Sequence, residues 1–106
     1  MKKKTVCGEL CPDDCDYSIE WYGDVELNDE QSSLIIKAIM YNGETDVESL
    51  CIKESFPDIY DALDKACYKA TLKAYNEHLR SLGKPEVDKL DFQHEVNIPH
   101  EFQDLI

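Results

Sequence analysis

Between Thr5 and Ile36 the chain has no basic residue, and nowhere does it carry a long apolar run. A membrane-spanning helix needs about 20 apolar residues in a row. The apolar runs here are only a few residues long, so no membrane span is predicted. The sequence has no glycine-rich phosphate loop, no H-E-x-x-H and no G-x-S-x-G, which removes the usual local signatures of nucleotide, zinc-peptidase and serine-hydrolase chemistry. The D-x-D-x-D-G calcium loop is missing too. Lys2-Lys3-Lys4 resembles the charged start of a secretory signal, but Glu9, Asp13 and Asp14 interrupt the apolar stretch that should follow. The expectation is a cytoplasmic protein with reduced thiols and no disulfide framework.

What is present is acid. The 106 residues carry a net charge of −12. Residues 5–36 hold nine of the acids, whereas residues 57–82 balance four acids with four bases. From residue 83 onward six acids meet two bases. The acidity therefore belongs to the flanks of the chain. Such a field repels nucleic acid and anionic membranes and favours a basic protein partner. The ordinary reading of an acidic surface is solubility.

Five cysteines come next: Cys7, Cys11 and Cys15 at equal spacing, then Cys51 and Cys67. A metal site built on Cys7, Cys11 and Cys15 would hold Zn or Cu as a thiol-ligated centre. Structural zinc sites usually present C-x2-C pairs and four ligands. Here the spacing is x3 twice, so a fourth ligand must come from Cys51, Cys67, His78, His94 or His100. Asp13 and Asp14 lie between the thiols and oppose thiolate formation. Pro12 prevents a helix that would align the three on one face. Cys11-Pro12-Asp13-Asp14-Cys15 resembles the C-P-x-x-C copper site of Sco-type copper chaperones. The resemblance spans five residues, and the chain lacks the β–α alternation of their thioredoxin-like fold, so their function is not carried over. Cys67 sits on an apolar helix face, where a thiol ordinarily packs as a small hydrophobe. His94 and His100, with Glu95 and Glu101, offer metal or acid–base groups. In phase with Phe92 and Val96, His94 reads first as a half-buried strand residue.

The elements follow from periodicity. Residues 17–27 alternate, with Tyr17, Ile19, Trp21, Val25 and Leu27 on one side and Glu20, Asp24 and Glu26 on the other. Gly23-Asp24 marks a bulge or a turn in that run. Asn28 and Gln31 form a capping box for a helix over 29–41, which Asn42-Gly43 ends. Residues 44–56 are ambiguous between a short helix that buries Val47, Leu50 and Cys51 and a strand at 50–52. Pro57 starts a helix over 57–82, which Gly83 and Pro85 stop. Asp58, Asp61 and Asp64 lead it and Lys65, Lys69, Lys73 and Arg80 follow, in the order that suits the helix dipole. Its polar stripe is narrow, and Ala62, Ala66, Ala70 and Ala74 form a ridge of small residues that permits close helix approach. Residues 91–98 alternate again and read as a last strand.

The predicted fold is α+β, a small antiparallel sheet packed on two helices with the longer one central and well buried. The sheet pairs 17–27 with 91–98, and 3–7, where Thr5-Val6-Cys7 can open a short strand, is a candidate to join it. Residues 1–15 read as a turn-rich N-terminal arm and 16–106 as a single α+β domain. The wide apolar face of the long helix predicts a homodimer or another bound partner through Ala66, Ala70, Ala74 and Tyr75. Function is read as a non-enzymatic protein–protein interaction module, an accessory or inhibitor protein. Its acidic face (Asp13, Asp14, Asp16, Glu20, Asp24, Glu26) is expected to bind a basic partner.

Overall fold

A computed structural model of the chain describes residues 2–12 and 17–105. The fold is α+β: a two-stranded antiparallel sheet packed against helices. Strand β1 is Lys2–Leu10 and β2 is Ile19–Leu27. They pair without a break from Lys2↔Leu27 to Leu10↔Ile19. The helices are α1 (Asp29–Asn42), α2 (Ile52–Ser55), α3 (Pro57–Ser81) and α4 (His100–Gln103).

Strand β2 follows its alternation. Trp21, Val25 and Leu27 are buried, and Glu20, Tyr22, Asp24 and Glu26 are exposed. The bulge or turn expected at Gly23 is not there. Gly23 pairs in register with Val6 and stays in phase with the buried residues. Its role is close approach. A Cβ at residue 23 would lie 2.7 Å from Ala70 Cβ and 3.2 Å from the Ala66 carbonyl oxygen. Helix α3 thus crosses the sheet on the small residues that the sequence had marked for a partner. That ridge is used within the chain: Ala70 is buried, while Ala66, Ala74 and Tyr75 are half-buried around the same core.

The partner strand differs from expectation. Strand β1 occupies the place assigned to 91–98, and residues 2–10 are extended rather than turn-rich. The inward positions of β1 include Lys4, Val6, Gly8 and Leu10, so only Val6 and Leu10 advertise an apolar face. Gly8 leaves room for the Trp21 indole across the ladder, and Lys4 Nζ lies 5.4 Å from the centroid of the Phe102 ring. A lysine stem lies well along apolar surface and its charge is attracted to a ring face. Thus β1 is amphipathic in space although its sequence alternation is broken.

Residues 91–98 form no strand. Their alternation survives as a strap across α3. Phe92 packs edge-to-face on Tyr75 at 5.4 Å, His94 Nε2 sits 2.8 Å from Asp64 Oδ1, and Ile98 is fully buried. Side chains partner the strap's backbone where a ladder would have done so. The Leu90 N–H donates to Tyr68 Oη at 3.1 Å, and Asn76 exchanges two hydrogen bonds with the Val87 backbone. Helix α3 is therefore covered on one side by the sheet and on another by the chain's own C-terminal third.

Both long helices keep their expected ends. The Asn28 and Gln31 side chains exchange the two bonds of a capping box, at 2.7 and 3.0 Å. Gly43, at φ 70°, closes α1 by donating its N–H to the Ile39 carbonyl. Between α1 and α3 the chain turns and buries Val47, Leu50 and Ile52. Cys51, expected inside, is exposed and lies at φ 53° as the cap of α2. Ile35, Ile52 and Leu63 are among the fully buried side chains, each stabilising the fold by about 1.5–3 kcal/mol relative to exposure.

Candidate functional site

Two surfaces carry chemistry: the outer face of the sheet and a cleft at its open end. The outer face is built by register. Glu9 stands opposite Glu20, Cys7 opposite Tyr22, Thr5 opposite Asp24 and Lys3 opposite Glu26. Four carboxylates thus share a two-stranded face with one lysine. Like charges directly opposite on a ladder destabilise it, so the Glu9–Glu20 pair opposes folding. Tyr22 stands between the acids and donates its hydroxyl proton to Glu20 Oε2 at 2.8 Å. That hydrogen bond, and then the Glu20 charge, push the Tyr22 phenol above its ordinary value.

The two edges of the sheet are treated differently. The Thr5 N–H donates to both oxygens of the Glu101 carboxylate, at 3.1 and 3.0 Å, and Asn97 Nδ2 donates to the Cys7 carbonyl at 2.8 Å. Those groups point away from β2, so Thr5↔Asp24 and Cys7↔Tyr22 are pairs that exchange no ladder bonds. The backbone groups of Tyr22 and Asp24, and of Glu20 and Glu26 in phase with them, therefore face the other edge. Among the described residues none of these groups has a backbone partner along that edge. The β1 edge is covered by side chains of the chain's own C-terminal segment, and the β2 edge is open among the described residues.

Glu101 is held as an anion by its position. Burial alone would raise its carboxyl. The N–H groups of Glu101 and Thr5, then the charges of His100 and Lys4, outweigh burial and hold it below the ordinary value.

The cleft encloses about 650 Å³ between the end of β1, α3 and the strap. Trp21 and Thr71 are lining residues with almost no exposure and form its floor. Tyr75 and Phe92 make an aromatic corner, and Glu9, Asp91 and Glu95 supply exposed carboxylates. Lys84 also lines it. Thr71 is 1 % exposed, and its Oγ1 finds no hydrogen-bond partner among the described residues. Such a hydroxyl costs roughly 1–3 kcal/mol. A second cleft of about 640 Å³ lies beyond His94 and Glu95, which line both.

The thiols do not converge. Cys7 lies in extended β1 and Cys11 just beyond it, exposed at the cleft. Four residues of extended chain span on the order of 13 Å, whereas zinc holds each thiolate at about 2.3 Å. Cys15, with Asp13, Asp14 and Asp16, lies outside the described residues. Among the described residues no group of three or more His, Cys, Asp or Glu is arranged to hold a metal ion. Burial pushes the Cys67 thiol up to about 11, against a weak contact with the Asn97 carbonyl, so it stays protonated and unreactive. His94 is spoken for by Asp64 and packs edge-to-face on Tyr68 at 5.1 Å. His100 opens α4, apart from that pair.

Of the sequence-marked acids, Glu20, Asp24 and Glu26 share one exposed strand face. Sequence reasoning missed Glu9 as their cross-strand neighbour, because the candidate strand at 3–7 stops short of it while β1 runs on to Leu10. It also missed the cleft. The available signal was Thr71, a lone hydroxyl on the buried side of α3. No helix among the described residues is long and apolar enough to cross a membrane. No family model, no curated protein and no solved structure matches this chain.

Proposed function

We propose that this protein is a non-enzymatic interaction module that binds a basic partner through the acidic outer face and open edge of β2. One observation carries the reading. Glu20, Asp24 and Glu26 are exposed in a row on the strand whose outer edge has no backbone partner among the described residues. A sheet edge is a template for an added strand, and the acids select a strand rich in Lys or Arg. The Glu9–Glu20 opposition supports the same reading, because a cation laid across it relieves a repulsion that the free protein bears. The partner's segment is extended, with lysines or arginines at alternate positions facing the acids.

Calorimetric titration with an alternating Lys/Thr peptide tests this, against a Glu/Thr peptide of equal length. The Lys peptide should bind and weaken as salt rises, because exposed charges are screened within about 10 Å at ~0.1 M. The triple variant Glu20→Gln, Asp24→Asn, Glu26→Gln should lose about tenfold or more in affinity, on the order of 1.4 kcal/mol. Equal binding of the Glu peptide, or unchanged binding by the triple variant, rules the face out.

A further inference from the structure

The cleft at the open end of the sheet has a composition that an acidic docking face does not explain. Its floor is largely aromatic and apolar, and a buried hydroxyl there, Thr71 Oγ1, has no partner among the described residues. Its charge lies at the exposed lining, where Glu9, Asp91 and Glu95 outnumber Lys84. A volume of about 650 Å³ is the size of an ordinary small-molecule site. We propose that this cleft binds a small amphipathic organic cation: an ammonium or guanidinium group on a flat apolar body, with a hydroxyl or carbonyl at the far end.

Each part of that ligand answers a feature of the site. The charged head meets the carboxylates, which outnumber the Lys84 ammonium in the lining. The flat body stacks in the corner made by Tyr75 and Phe92, whose rings stand at 84° and so offer both a face and an edge. Ring faces attract cations, and this chain already places ammonium groups over rings twice, Lys4 on Phe102 and Lys53 on Tyr60. The far polar group reaches the Thr71 hydroxyl, which accepts or donates as required. An unpaired buried hydroxyl is costly to keep and gains most from a ligand that pairs it. An anion of the same shape would meet three carboxylates and is excluded on charge.

Tyramine has these parts and serves as the probe, with 4-hydroxyphenylacetate as the same body carrying the opposite charge. The chain's single tryptophan, Trp21, is in the floor, so its indole N–H resonance reports occupancy. Tyramine should shift that resonance saturably, with a midpoint below about 1 mM. Glu95→Gln and Thr71→Val should each raise the midpoint threefold or more. Both substitutions nearly preserve shape, and near-UV circular dichroism verifies that each variant is folded. Failure to saturate by about 10 mM, equal binding of 4-hydroxyphenylacetate, or a midpoint unchanged in either variant overturns the proposal. The β2-edge titration is independent of this outcome, because none of the three acids changed there lines the cleft.

Discussion

At the residue scale the sheet–helix contact turns on Gly23. The strand alternation would accept any β-former at residue 23, yet Ala70 leaves no space for one. An added methyl would have to move α3 or β2, because the second near atom is the backbone oxygen of Ala66. Overpacking of this kind costs typically 1–3 kcal/mol. Gly23→Ala should therefore lower stability by roughly 2 kcal/mol, read as a lower urea midpoint with an unchanged slope. Ala70→Gly by itself should destabilise α3 by about 1 kcal/mol. In the double variant the added methyl finds the space that Ala70 vacated, so the combined cost should be smaller than the sum, a coupling of neighbours. Strict additivity would mean that the two positions do not touch in solution. In the sequence Gly23 is visible as an interruption, which suggests a bulge or a turn. Its true role depends on a helix that begins 34 residues later, and no local pattern encodes that contact.

At the scale of elements, legibility followed how local each cause is. Helices α1 and α3 were readable because their caps lie within three or four residues of their ends: Asn28 with Gln31, Asn42-Gly43, Pro57 and Gly83. Strand β2 was readable because its alternation is complete. Strand β1 was readable only in part, as a candidate at 3–7, because Lys4 and Gly8 occupy inward positions and are accommodated by Phe102 and Trp21, far away in sequence. The segment 91–98 alternates as a strand should, yet alternation reports which side chains turn inward and not what the backbone pairs with. The edge of β1 that it might have joined is taken by two side chains, Asn97 and Glu101. The cleft was illegible for a related reason: its lining comes from five separate stretches of chain. The Glu101 contact predicts how pH acts on this element. Its folded carboxyl lies below the ordinary value of 4.5. The stability it adds is therefore complete above that value and is lost as pH falls through the lower folded value. Glu101→Gln should cost about 0.5–1 kcal/mol at neutral pH, discounted for its exposure. The two proteins should converge as pH falls below the folded carboxyl's lowered value, where protonated Glu and Gln are alike. A difference that persists or grows on acidification would show that the Thr5 N–H is not held by a carboxylate.

At the scale of the whole molecule, charge is spread unevenly along the chain. The protein measures 46 × 26 × 22 Å, long because α3 alone extends about 37 Å at 1.5 Å per residue. Its net charge of −12 lies outside residues 57–82, where four acids and four bases cancel. A chain so charged stays dispersed but repels itself, and the Glu9–Glu20 pair places that repulsion inside a two-stranded sheet that has few other bonds to lose. Stability and recognition should therefore pull in opposite directions. Glu9→Lys converts the like-charge pair into an opposite one and should stabilise the fold by roughly 0.5–1 kcal/mol. The same change should weaken binding of the Lys/Thr peptide, since it adds a cation to the face that the peptide must cover. Salt separates this account from a local packing effect. Raising the ionic strength to about 0.5 M shortens the screening length to a few ångströms. It should raise the urea midpoint of the wild type more than that of Glu9→Lys. A wild-type midpoint that falls with salt, or a variant that is both more stable and equally good at binding the basic peptide, would mean that the acids on this face are held for solubility and not for a partner.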